Sequence, residues 1–139
     1  MIDLDNQTNL NFELEILEKI ALEVTNRDFE LLIVNNDTIR RLNKEHRNKD
    51  KATDVLSFPF NLNFEYAPLG SIIISADFVK AKAKEFNHKI EDELQLLFIH
   101  GLLHLLGYDH ETDSGEHRSK EEELIKKFNL PKSLIVRNS

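Results

Sequence analysis

His100-Gly101-Leu102-Leu103-His104-Leu105-Leu106-Gly107-Tyr108-Asp109-His110 is the stretch on which both the fold and the chemistry turn. It closes an apolar run in which Leu94, Leu96, Leu97, Phe98, Ile99, Leu102, Leu103, Leu105 and Leu106 leave little polar face. A helix that is apolar all round is a buried one, so the sequence predicts a central core helix from about Glu91 to Leu106. Residues four apart share a helix face, and His100 and His104 therefore aim their imidazoles at one point. Gly107 follows the last helical leucine, where a left-handed residue ends a helix, and the returning chain can bring His110 to the same point. Three imidazoles converging from one side leave a fourth coordination position open, as in catalytic metal sites. The competing reading is three separate histidines, each satisfied within a core helix. It must explain three at fixed spacing in an apolar run where every ring needs a partner, and the metal explains them better.

Working outward from that helix, apolar Phe12, Ile16, Leu17, Ile20, Ala21 and Val24 give a helical stripe over 12–24. Glu30 to Val34 suits a buried strand, and Asp37 is placed to cap a helix through about Lys44. Asp54 to Phe58 and Ser71 to Ser75 are strand candidates, separated by a loop from Pro59 to Pro68. Helices are expected at Ala76–Phe86 and Glu116–Phe128, the last stopped by Pro131. The fold class is α+β: a small mixed sheet of about four strands covered by about five helices, with the buried helix carrying a zincin-like metal motif. No repeat, linker or composition break divides residues 1–139, which read as a single domain.

Composition excludes other classes. The absence of Cys removes disulfide scaffolds, iron–sulfur sites and thiol nucleophiles. Met1 to Asn6 has neither the basic nor the apolar part of an export signal, and no apolar run is long enough to span a bilayer, so a cytoplasmic location without membrane attachment is expected. The net charge of −7 argues against bulk electrostatic binding to nucleic acid. Charge is uneven, however. Between Asn35 and Lys51 six basic residues (Arg40, Arg41, Lys44, Arg47, Lys49, Lys51) face three acids, which is either a solvated helix face or a local phosphate-facing patch.

Three neutral nitrogens without a thiolate suit Zn2+ first, one ion per chain, with Cu, Ni or Fe open on ligand grounds. Such an ion acidifies water towards neutral pH, which points to a metallohydrolase. The spacing matches the extended zincin pattern with one absence: the position after the first His, where a peptidase keeps its Glu base, is Gly101. Asp109 can orient a ligand imidazole or shape the turn, while Glu111, Asp113 and Glu116 fit a solvated turn. His46, His88 and His117 lie outside the motif and read as surface residues.

The segment His100–His110, together with Lys51-Ala52-Thr53-Asp54-Val55-Leu56-Ser57-Phe58-Pro59 and the preceding Arg47, resembles the YbeY family of bacterial metallo-endoribonucleases. The resemblance extends over most of the chain in motif order, length and succession of elements. It implies that His100, His104 and His110 are zinc ligands and that Arg47 matches a functionally important arginine. It also implies cleavage of single-stranded RNA, maturation of 16S ribosomal RNA, a role in ribosome quality control and a small-subunit partner, with no DNA expected. Gly70-Ser71-Ile72 departs from the family's usual Gly-Asp-Ile, Ser114-Gly115 interrupts the acidic run after the third His, and the usual Met of the last helix is missing.

Physical chemistry fits that implication. Attack on a phosphodiester builds charge on phosphoryl oxygens, which calls for cations more than for a carboxylate, and Arg47 offers a two-pronged donor. Thr53 to Phe58 can supply an edge strand for an extended chain, with Phe58 either stacking on a base or belonging to the core. Two other classes compete: a metallopeptidase, against which Gly101 counts, and a ribosome assembly factor with a structural metal, against which the open position counts.

Overall fold

The computed structural model describes residues 1–62, 64 and 67–131. Nine elements follow one another: β1 (Ile2–Asn6), α1 (Leu14–Leu22), β2 (Phe29–Val34), α2 (Asn36–Arg47), β3 (Val55–Pro59), β4 (Gly70–Ser75), α3 (Ala76–Glu85), α4 (Ile90–Leu105) and α5 (Glu116–Lys127). The strands form one sheet in the order β1-β2-β4-β3. β1 and β4 both run parallel to β2, while β3 pairs antiparallel with β4 and stands at the edge. This is the α+β arrangement with a mixed sheet that the sequence predicts. No helix among the described residues is long and apolar enough to cross a membrane.

β4 is buried along its whole length because it is central and covered on both faces, which is why Ile72-Ile73-Ile74 runs apolar without alternation. Ile73 faces a small cluster with Val34, Leu56 and Ile39 of α2. Ile72 and Ile74 face the main core with α1, α4 and α5. Leu96, Leu97, Phe98, Ile99, Leu102 and Leu103 of α4 are at most 1% exposed. Each such side chain contributes roughly 1.5–3 kcal/mol by leaving water, so α4 is the pillar of the fold.

Several expectations shift in detail. α1 is shorter than its stripe, with Phe12 and Val24 packed against the core from outside the helix. The cap of α2 is Asn35, whose side chain accepts from the Thr38 N–H at 2.9 Å, and Asp37 sits in the first turn instead. β1 is an additional strand; it lies in register with β2, Ile2 beside Phe29 and Leu4 beside Leu31. The expected loop from Pro59 to Pro68 includes positions 63, 65 and 66, which lie outside the described residues.

Candidate metal centre

His100 and His104 project from successive turns of α4. The helix then ends as its sequence requires. The Tyr108 N–H donates to the Leu103 carbonyl and the Gly107 N–H to the His104 carbonyl, both at 3.0 Å, while Gly107 takes φ 101°. That pair of bonds is the Schellman closure, and its pivot favours a residue without a Cβ. The chain then folds over itself: Thr112 and Asp113 donate to the Asp109 carbonyl, and the Asp109 side chain accepts from Glu111 N–H at 3.1 Å. Asp109 therefore shapes the turn. The result brings one nitrogen each of His100, His104 and His110 within 4.8 Å of one another.

A carboxylate that the sequence reading missed holds the first ring. His100 Nδ1 lies 3.0 Å from Glu121 Oε1, and both side chains are buried. With Glu121 ionised, Nδ1 carries the proton and Nε2 is left as the electron-pair donor, the usual arrangement behind a metal-bound imidazole. Burial, and then the neighbouring His100 and His110 rings, hold the His104 pKa below its usual value. That favours the neutral state a metal ligand needs. The donor set fits a zinc-class ion: three imidazoles, one with its tautomer fixed, and a buried His110 Nδ1 without a partner.

His117 overturns its expected surface placement. It is fully buried, its ring centroid 4.8 Å from those of His100 and His104. Burial first, and then the charges of the three triad rings, push its pKa down to about 3. The reason is helical phase. His117, Glu121 and Leu124 of α5 share the face that packs on α4, and this apolar-side spacing was the signal available in the sequence. His88 is also half-buried, 3.4 Å from the wholly buried Glu93, whereas His46 is exposed and stands against the Phe58 ring at 5.0 Å. Phe58 thus belongs to the small core beneath α2.

The triad opens into a cleft of about 560 Å³ whose walls are β3, the turn after α4 and Arg47 at the end of α2. Arg47 is exposed, and among the described residues no carboxylate pairs with it. Its neighbour Arg40 is instead tied to Asp50 at 2.8 Å. Gly101 is the closest approach of α4 to the sheet. A Cβ there would meet Val55 Cγ2 at 2.9 Å and Ile72 Cγ2 at 3.0 Å, and Ser57 Oγ donates to the Gly101 carbonyl at 2.7 Å. The position where zincins keep a Glu has no room for one. Ser71, which replaces the expected Asp, donates to Glu30 Oε2 at 2.6 Å on the sheet face opposite Ile72 and α4.

Known proteins with this pattern share more than the motif. The sequence matches the family described as Endoribonuclease YbeY over residues 3–129. It is similar to "Endoribonuclease YbeY" of Aliarcobacter butzleri (strain RM4018), 63% identical over 140 residues and 100% of both chains. It is likewise similar to that of Sulfurovum sp. (strain NBC37-1), 59% identical over 99% of this chain and 97% of the relative. The Helicobacter pylori (strain ATCC 700392 / 26695) protein of the same name is 52% identical over 99% of this chain and 98% of its own. Among solved structures, the solution structure of TM1509 from Thermotoga maritima superposes with a TM-score of 0.61 at 30% identity, covering 93% of this chain and 92% of the other.

Proposed function

The chain belongs to the Endoribonuclease YbeY family, a hydrolase acting on RNA, and from that premise we propose that it is a zinc-dependent endoribonuclease whose ion is held by His100, His104 and His110. We further propose that residues 1–139 work as one domain, that Arg47 is the catalytic arginine, and that the substrate is single-stranded. The cellular role in this reading is 3′-end maturation of 16S ribosomal RNA and ribosome quality control on the small subunit in the cytoplasm. When bound, zinc supplies Lewis acidity towards a phosphoryl oxygen and makes water acidic near neutral pH.

The observation that carries the reading is that Arg47 and the three histidines line one cleft, although they are distant in sequence. A planar guanidinium there grips two oxygens of a phosphate and stabilises the charge that builds as the phosphodiester is attacked. β3 stands at the sheet edge along the same cleft, so an extended chain has a wall to follow. Burial and the Glu121 contact keep the histidines aimed and short of protons. The peptidase alternative is disfavoured because the close packing at Gly101 excludes the Glu that would act as its base. A purely structural metal is disfavoured because one side of the triad faces open space.

Single-turnover cleavage of a single-stranded RNA, with zinc measured on the same samples, tests the assignment. Arg47→Ala is expected to keep its zinc and lose about 10²–10³-fold in rate, the scale for removing one transition-state donor. Arg47→Lys is expected to recover only part, since a point charge does not reproduce a two-pronged contact. Parental cleavage by Arg47→Ala at saturating enzyme would return Arg47 to the solvated surface.

A further inference from the structure

The ring of His117 stands against all three triad rings, with centroids 4.8 Å from His100, 4.8 Å from His104 and 5.3 Å from His110. The triad's own centroids are 4.9, 5.4 and 5.7 Å apart. Four imidazoles therefore occupy the corners of a nearly regular tetrahedron. Rings bound to a single zinc through bonds of about 2.0–2.1 Å have their centroids roughly 5 Å apart, so the cluster already has the dimensions of a tetra-imidazole centre.

Burial adds an independent reason. His117 is 0% exposed, and neither of its ring nitrogens has a hydrogen-bond partner. Leaving two polar atoms orphaned in the interior is costly, and a metal would satisfy one of them. A nitrogen of His117 also lies within 4.8 Å of donor atoms of His100 and Glu121, so it borders the ring whose tautomer is already fixed. His117 does not line the cleft, whereas the triad does, so it meets the triad from the interior.

Building on the reading of the triad as a metal site, we propose that His117 is a fourth protein ligand, an imidazole that binds the same ion from the interior side. It comes from α5, not from the motif helix, and metal binding would thereby clamp α5 onto α4. The cleft-facing side stays clear of protein, and catalytic zinc sites can expand to five ligands, so a fourth imidazole inside is compatible with substrate outside.

X-ray absorption at the zinc edge, on the full chain loaded with one equivalent of zinc and no RNA, counts the imidazoles directly. Four in the parent and three in His117→Met are expected, with zinc affinity falling at least tenfold in the variant. Three in the parent, with no change in the variant, overturn the proposal while leaving the triad intact. So do two bound equivalents of which His117→Met loses one, because His117 would then serve a separate ion with Glu121. His104→Ala, measured in parallel, separates the two levels: a full equivalent of zinc retained there overturns the triad itself. If circular dichroism shows that His117→Met does not fold, the imidazole count of the parent decides alone.

Discussion

His110 reaches the triad through a turn whose pivot, Gly107, sits at φ 101° with nothing within 4 Å of the place a Cβ would occupy. Any cost of a side chain there is therefore backbone strain and not collision. Gly107→Val is expected to lose about 1–3 kcal/mol of stability and to weaken zinc binding as His110 is displaced. Chemical unfolding and a zinc titration on the same preparation check it; parental zinc affinity would mean the turn does not aim His110. His100→Ala, His104→Ala and His110→Ala should each bind far less than one zinc, measured by elemental analysis, because each removes a first donor outright. The triad was legible in the sequence because its three members are set by local rules: four residues along a helix, then a glycine stop, then a short turn. Glu121 and His117 were not legible, because only the packing of α5 across α4 brings them to the same place.

Between elements, the decisive distance is that of α4 from β3 and β4 at Gly101. Introducing the zincin carboxylate by Gly101→Glu would force a side chain against Val55 and Ile72 and displace the Ser57 hydroxyl from the Gly101 carbonyl. Overpacking of this kind costs at least about 1–3 kcal/mol, so the variant is expected to lose stability and RNA cleavage without gaining peptidase activity. A stable Gly101→Glu protein that cleaves peptides would contradict the packing argument. The same contact shows why the long elements were readable and the short ones less so. The buried run of α4 and the apolar β4 announce themselves, since both faces of each are covered. β1 carries only Ile2 and Leu4 among acids, a pattern too short to distinguish from a loop until β2 supplies its partner. The α2 cap was misplaced by two residues because Asn35, Asn36 and Asp37 are all good cap residues, and backbone geometry alone chose the first.

For the molecule as a whole, the histidine cluster ties stability to pH and to metal. In the metal-free protein His117 titrates at about 3, against an ordinary value of 6.5. Between those values the unfolded chain takes up a proton that the folded chain refuses, so stability is fullest above about pH 6.5 and drains away as pH falls towards 3. His104, also depressed, acts in the same direction. So does Asp113: backbone N–H groups of Gly115 and then His117 lower its pKa, giving stability that is present above the ordinary carboxylate range and lost as pH falls through the depressed value. Zinc acts on the folded state by mass action, adding about 2.7 kcal/mol at a hundred times its Kd, but only while the imidazoles are free of protons. Thermal unfolding from pH 8 to pH 4 should therefore show a midpoint that falls steadily without zinc. With saturating zinc the midpoint should be raised at pH 7–8, and that rise should shrink below about pH 6 as protons compete for the ligands. A metal-free midpoint that stayed level between pH 7 and pH 4 would show that the cluster is not held neutral by burial, and the metal would then have to build the site it enters.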